Sequence, residues 1–465
     1  SVSSFIMGLT RSLSLTFVLL LASAQALRVG TLNVFGAGSG VTGRLAPGGI
    51  ASSIASDMAL RASSEPEAEI PPLAQKPARK VALLVEPTPF THVSGYSNRF
   101  KEMLRYLQAG GDTVEVVTPD DTPDRPADFL GIPITYVPGF RLFLYKQVML
   151  TLDFGSQALQ TLKRFEPSII HAATPGFFVM PAIVYSRMLD VPLVVSYHTH
   201  LPYYAQKYIN VPVLREIAVA FANWIVPFTL NFADLALATS PQLKDQLEEL
   251  GCNNIEVWRK GIDTNVFNPL FNEANLEMRT RLTGGQPEAP LLLYVGRLGA
   301  EKNIHLIRGV LDAIPQARLA VVGCGPAEGD LREVFDGSNT IFTGLLQGEE
   351  LSRAYAAADV FVMPSESETL GFVVLESMAS QVPAVCAAAG GLVNLVRDGE
   401  TGLLFQPGDV TDFTEKVKVL VRDDELRQAM GEAGREETLN WDWRAATSVL
   451  RNYQYTLAEQ RHSER

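Results

Sequence analysis

The chain has 465 residues, 47% hydrophobic and 19% charged, enough apolar material to bury the cores of two ordinary domains. Its net charge of −12 argues against a nucleic-acid partner, which needs a basic face, and leaves any acidic substrate to be met by a few placed cations. Cys252, Cys324 and Cys386 stand alone without CxxC spacing, so they are read as free buried thiols, with neither a disulfide framework nor a zinc site.

Residues 1–56 contain no Asp or Glu. Arg11 precedes the apolar run Leu15–Ala22, and small residues at Ala22, Ala24 and Ala26 follow in the layout of a secretory signal. The run is too short to span a bilayer comfortably, and the stretch after it, to about Ser64, is rich in Ser, Gly and Ala with Arg28, Arg44 and Arg61. A signal followed by a transit-like segment resembles the presequences of plastids entered through the secretory pathway, and implies a plastid location. The Pro-rich segment Pro66–Pro77 is then a linker, so that presequence and linker together occupy residues 1–76.

From Lys80 the chain alternates short apolar runs, Gly/Pro/polar loops and helical periods, the pattern of parallel strands with crossover helices. The first series is predicted to have strands at Val81–Val85, Val114–Val117, Ile169–His171, Leu193–Tyr197 and Leu235–Ala238. Residues 268–290 are read as a connection without a strand. The second series is predicted at Leu291–Val295, Leu319–Val322, Ile341–Thr343 and Val360–Met363, and Trp441-Asp442-Trp443-Arg444 opens a last helix able to cross back. The expected fold class is α/β with two Rossmann-like domains, at 77–267 and 268–440, and a returning helix at 441–465. In open parallel sheets ligands sit beyond the carboxyl ends of the strands, so two such domains would face each other across a cleft.

The motifs fall at those ends. After the first strand, Gly95 begins a helix where bare N–H groups favour phosphate, but no GxGxxG is present, which disfavours a nicotinamide-dependent oxidoreductase. The strand at Leu193–Tyr197 runs into His198-Thr199-His200, with no third ligand evident for a metal. In the second series, Gly296 and Gly299 permit a tight loop in which Arg297 and Lys302 offer two cations to a diphosphate, against the plainer reading of a solvated Glu301/Lys302 pair. The segment Met363–Glu376 is read as strand, turn and helix beginning near Leu370. Were it all helical, Glu368 and Glu376 would lie roughly 12 Å apart, suited to gripping opposite ends of an extended ligand. Backbone N–H groups of Thr369, Leu370 and Gly371 lie between them. No Asp-x-Asp occurs, so metal-independent transfer is expected, with no cofactor beyond the donor substrate.

This set resembles the family-4 retaining glycosyltransferases of GT-B fold over roughly residues 79–455. Within it, Val85-Glu86-Pro87-Thr88-Pro89-Phe90, Ser196–His200, Lys260-Gly261-Ile262-Asp263 and Trp443–Thr447 are similar to sulfoquinovosyltransferases of photosynthetic organisms. The resemblance implies transfer of sulfoquinovose from UDP-sulfoquinovose to diacylglycerol. It implies Glu376 on the ribose, Arg297 and Lys302 on the diphosphate, and Glu368 with the Thr369–Gly371 backbone on the sugar. Gly95 and Gly296 would lie close to the donor, with His198 beside the sixth carbon of the sugar. Ser94 replaces the first glycine of the family's Gly-Gly pair. Arg99, Lys207 and His198 are candidates for sensing a sulfonate. Glucosyl or mannosyl transfer to another acceptor is the alternative.

Residues 140–230 carry seven Lys/Arg against four Asp/Glu, a local reversal of sign. Phe140–Lys146 and Tyr203–Tyr208, with Trp224 downstream, combine aromatics and cations as a peripheral membrane contact would.

Overall fold

Continuous runs of Val, Leu, Ile and Ala have no polar face to offer water, so they settle as parallel strands covered on both sides. In this computed structural model, residues 71–465 are described apart from 93–94, 143–144, 175, 199, 210 and 270–272, and the presequence reading lies outside them for residues 1–70.

The first half contributes β1 (Lys80–Leu84), β2 (Thr113–Pro119), β3 (Asp128–Phe129), β4 (Ile132–Val137), β5 (Phe140–Leu142), β6 (Tyr145–Leu150), β7 (Ile169–Thr174), β8 (Leu193–Tyr197), β9 (Leu235–Ala238) and β10 (Ile255–Val257). Eight of these form one sheet in the order β10-β9-β8-β7-β1-β2-β4-β3, parallel except where β3 runs against β4. The second half contributes β11 (Leu291–Val295), β12 (Arg318–Val322), β13 (Thr340–Gly344), β14 (Val360–Met363), β15 (Ala384–Ala387) and β16 (Gly402–Phe405). They form a parallel sheet in the order β13-β12-β11-β14-β15-β16. The chain moves from β1 to β2 on one side and later to β7 on the other, and from β11 to β12 and later to β14. Each sheet therefore has a switch point beside its first strand, where ligands bind in open α/β sheets. This is the two-domain GT-B architecture.

The nine predicted strands are all present. Within the two sheets the strands not foreseen are β3, β10 and β16, which lie at edges, and the interior strands β4 and β15; β5 and β6 pair antiparallel in a separate hairpin. That hairpin places Phe140 and Arg141 in a strand, and Arg141 pairs with Asp121. The connection read as lacking a strand carries a helix, Glu273–Leu282, tied down by an Arg279–Asp359 ion pair at 2.8 Å.

The C-terminal helices return to the first half. Asp442 caps Trp443–Val449 through the Arg444 N–H, and one π-helical turn, Leu450–Gln454, precedes the helix Tyr455–Ser463. Arg451 is wholly buried and grips Asp112 bidentately, Nε to Oδ2 at 2.7 Å and Nη2 to Oδ1 at 2.9 Å. It also donates to the carbonyls of Leu73, Lys76 and Pro77. Residues 71–76, expected to be part of a linker, thus supply carbonyls that satisfy a buried guanidinium and belong to the folded body.

Candidate active site

On the first-half side the loop after β1 is organised by Glu86. Its buried carboxylate accepts backbone N–H groups from Thr151 at 2.7 Å and Phe178 at 2.5 Å, and burial lifts its pKa to about 8. The Glu86 carbonyl accepts the Tyr96 hydroxyl, which fixes the first turn of the helix Gly95–Ala109. Tyr96 then meets the His198 ring edge-on at 5.0 Å between centroids.

His198 continues β8 into this aromatic setting, with Phe100 at 5.3 Å and Trp258 at 5.7 Å between ring centroids. One ring nitrogen, Nε2, shares a hydrogen bond with Ser196 Oγ at 2.9 Å. Burial first, then the Arg99 charge and His171, push the imidazole well below its ordinary pKa, so it is neutral at pH 7. His200 is half-buried, and its pKa too is lowered by burial.

On the second-half side the loop after β11 turns at Gly296, whose φ of 154° and proximity to Gly323 leave no room for side chains: a Cβ on Gly323 would meet the Gly296 carbonyl at 2.0 Å. Cys324, read as buried, is exposed because it rides on that Gly323–Gly325 turn, whereas Cys252 and Cys386 are buried. Arg297 faces Glu301 at 3.5 Å, and Glu301 is only 1% exposed, so it is not a solvated surface carboxylate. Lys302 reaches across to Glu368, Nζ to Oε1 at 2.5 Å. Asn303 donates to Glu366 at 3.0 Å, tying the loop after β11 to the loop after β14.

The segment after β14 is not helical before Phe372. Gly371 ends the turn with φ of 82°, and the helix runs Phe372–Ala379. The separation inferred for a continuous helix between Glu368 and Glu376 therefore has no basis: one lies on a loop and the other on the second turn of a helix. The helix buries Glu376, where the carboxylate accepts the Tyr355 hydroxyl at 2.8 Å. Burial outweighs that hydrogen bond and raises its pKa to about 7.

The two sides touch through Thr369, whose hydroxyl donates to the His198 carbonyl at 3.1 Å and whose carbonyl accepts from the Thr239 hydroxyl at 3.3 Å. Lys302, Glu368, Thr369, Leu370, Gly371 and His198 are thereby linked along one seam. Glu376 is set behind it, and Gly95 starts the helix on the opposite side. Sequence reasoning passed over Trp258 and Tyr355, met Glu86 only as part of its motif, and named Arg99 as one of three candidates for sensing a sulfonate by charge and location. Trp258 follows a strand of only three residues, too short to mark its position. Among the described residues no group of three or more His, Cys, Asp or Glu side chains is placed to hold a metal.

Residues at the carboxyl ends of two parallel sheets thus meet along one seam, the place where open α/β sheets bind ligands. The model for glycosyl transferases group 1 matches residues 283–437 and that for Glycosyltransferase Family 4 matches residues 93–266. The chain is 44% identical to the sulfoquinovosyl transferase SQD2 of Arabidopsis thaliana, over 86% of this chain and 78% of that protein. It is 31% identical to a GDP-mannose-dependent alpha-mannosyltransferase of Corynebacterium glutamicum, over 82% and 89%. Among solved structures, the sucrose-phosphate synthase of Thermosynechococcus elongatus superposes with a TM-score of 0.69 at 23% identity, covering 82% of this chain and all of that one, a likeness of fold. The chain belongs to the family-4 glycosyltransferases, enzymes that move a sugar from an activated donor to an acceptor.

Proposed function

We propose that the protein transfers sulfoquinovose from UDP-sulfoquinovose to diacylglycerol with retention, forming a sulfolipid of plastid membranes. The observation that carries this reading is the likeness, through both domains, to the Arabidopsis sulfoquinovosyl transferase, which exceeds the likeness to the mannosyltransferase. Glu376 accepts the ribose hydroxyls, Arg297 and Lys302 meet the diphosphate, and Glu368 with the Thr369–Gly371 backbone holds the sugar. Gly95 and Gly296 allow close approach of backbone to donor. In the transfer, the bond from the anomeric carbon to the β-phosphate oxygen breaks and the acceptor oxygen bonds on the same face. The acceptor's proton passes to the departing phosphate oxygen, so that no protein nucleophile and no metal are required. The two cations stabilise the charge that develops on the leaving group. Lys302 then exchanges Glu368 for phosphate as Glu368 turns to the sugar.

The acceptor is met at a membrane surface by the helix Pro212–Leu230, which is apolar yet largely uncovered. Phe221, Trp224 and Phe228 on its flank and Phe232 just past its end follow one another at 5.8, 5.3 and 5.1 Å between centroids, and Trp224 is 47% exposed. An aromatic flank of this kind suits the interfacial region of a bilayer. It replaces Arg141, already paired, as the centre of the contact; the side chains of Lys146 and Lys207 lie outside the described part. The presequence composition supports delivery to a plastid.

The test is mass analysis of the lipid formed from UDP-sulfoquinovose and diacylglycerol vesicles in the presence of EDTA. A sulfoquinovosyl lipid is the expected product. A product from UDP-glucose or GDP-mannose alone would overturn the donor assignment, and strict dependence on a divalent ion would overturn the metal-free route.

A further inference from the structure

Arg99 lies on the helix Gly95–Ala109 and is 0% exposed. A guanidinium has five N–H donors and no acceptor. Nη2 spends its hydrogens on the carbonyls of Trp258 at 2.6 Å and Arg259 at 2.9 Å. Nε and Nη1 are sealed from solvent and have no hydrogen-bond partner, which leaves three N–H groups unmet. Among the described residues no carboxylate pairs with Arg99. Two histidines feel its charge, His198 and His171, and both are held neutral, His171 at a pKa of about 3. Burial lowers the Arg99 pKa itself to about 9, which still leaves it charged at pH 7.

Proteins retain a buried cation without a counter-ion when something else completes it, because breaking such a pair is costly. Here the surroundings are aromatic. The guanidinium lies over Trp258 at 4.0 Å from the ring centroid and 6.0 Å from the ring of Phe372, the residue directly after Gly371. Trp258 also borders His198, and the Thr369 hydroxyl binds the His198 carbonyl. Arg99 thus sits at the seam between the strand-end histidine of the first half and the donor loop of the second, in a dry setting where an ion pair is strong.

We propose that Arg99 is the residue that reads the anionic group of the transferred sugar, its unmet Nε–H and Nη1–H groups receiving a sulfonate carried on the hexose. The inference rests on the sulfoquinovosyl reading above and adds the specificity determinant to it. Trp258 stacks on the guanidinium, the Trp258 and Arg259 carbonyls hold one edge of it, and Nε and Nη1 are the donors left for an oxyanion. A neutral hydroxymethyl group at the same place leaves the cation unpaired, so the site rejects glucose by what it fails to satisfy.

The experiment measures binding of UDP, UDP-sulfoquinovose, UDP-glucuronate and UDP-glucose to the full chain and to R99M and R99K by calorimetry, alongside melting temperature. Wild type is expected to hold UDP-sulfoquinovose at least about thirtyfold more tightly than UDP-glucose, the scale of a buried charge pair. R99M is expected to bring the two donors within about threefold while UDP affinity stays unchanged, and R99K to fall between. Equal weakening of UDP and all donors, or a preference that survives in R99M, would overturn the proposal, and R99K decides it if R99M does not fold. If wild type prefers UDP-glucose to UDP-sulfoquinovose, the sulfoquinovosyl reading fails. UDP-glucuronate against UDP-glucose then decides Arg99 alone: a wild-type preference for the carboxylate that R99M lacks keeps it as an anion reader, and no preference overturns it.

Discussion

The two sides of the cleft handle charge in opposite ways. In the second half, cations stand against carboxylates: Arg297 against Glu301 and Lys302 against Glu368. In the first half, Arg99 is buried among aromatic rings with three N–H groups unmet and two neutral histidines beside it. A paired cation can be lent to a diphosphate that all nucleotide-sugar donors share, because its carboxylate partner takes up a sugar hydroxyl in return. An unpaired buried cation has no such exchange and rewards only a ligand that brings its own negative charge. The difference separates general donor binding from donor choice.

The comparison is sharpened first at Lys302. K302M should lower kcat/KM by about 10²–10³-fold for sulfonated and neutral donors alike, the scale of losing one transition-state donor. A loss confined to one donor would erase the distinction between the two sides. E376Q should raise the donor KM by about thirtyfold with kcat nearly unchanged, as expected for an interaction made equally in ground and transition states. Steady-state kinetics with saturating acceptor would show this, and a fall in kcat with KM unchanged would move Glu376 into the chemical step.

The same carboxylate sets a pH dependence. With its pKa raised to about 7 in the free protein, Glu376 gains a proton as pH falls below that value and accepts ribose hydroxyls less well. The donor kcat/KM should therefore drop by up to about tenfold per pH unit on the acid side of 7; a profile flat from pH 5.5 to 8.5, to within about twofold, would contradict it. On the acceptor side, W224A should weaken binding to diacylglycerol-containing vesicles about fivefold and leave UDP affinity alone, since one exposed indole is removed from the interface. Unchanged vesicle co-sedimentation would take the helix Pro212–Leu230 out of the account. The smallest effect concerns Glu86. Its folded pKa of about 8 lies above the unfolded value, so its contribution to stability is full at low pH and is lost as pH rises through 8. Wild type should melt higher at pH 6 than at pH 9. E86Q, which sets an amide N–H against the Thr151 or Phe178 N–H, should melt about 2–4 °C lower at pH 6 and show a flatter pH trend.

Much of the frame was legible because apolar strands, strand-end polar residues and a Gly-Arg…Glu-Lys loop are local features. What was hidden depends on distance in the chain. Lys302 meets Glu368 from 66 residues away, and Arg99 meets the Trp258 carbonyl from 159. No spacing rule reveals that Lys302 reaches Glu368 while Glu301 is buried against Gly299. The turn after β14 and the helix beyond it were legible, and only the boundary moved: Gly371 adopts a positive φ, so the helix begins at Phe372 and not near Leu370. That residues 71–77 belong to the folded body was missed because backbone carbonyls, which carry no sequence signal, satisfy Arg451.

The most direct test of donor choice is a competition in one reaction: full-length protein, diacylglycerol vesicles, and UDP-sulfoquinovose with UDP-glucose at equal concentration, reading the ratio of the two lipid products. The account expects sulfoquinovosyl lipid in at least about thirtyfold excess. Equal amounts of both lipids, or an excess of glucosyl lipid, would contradict it.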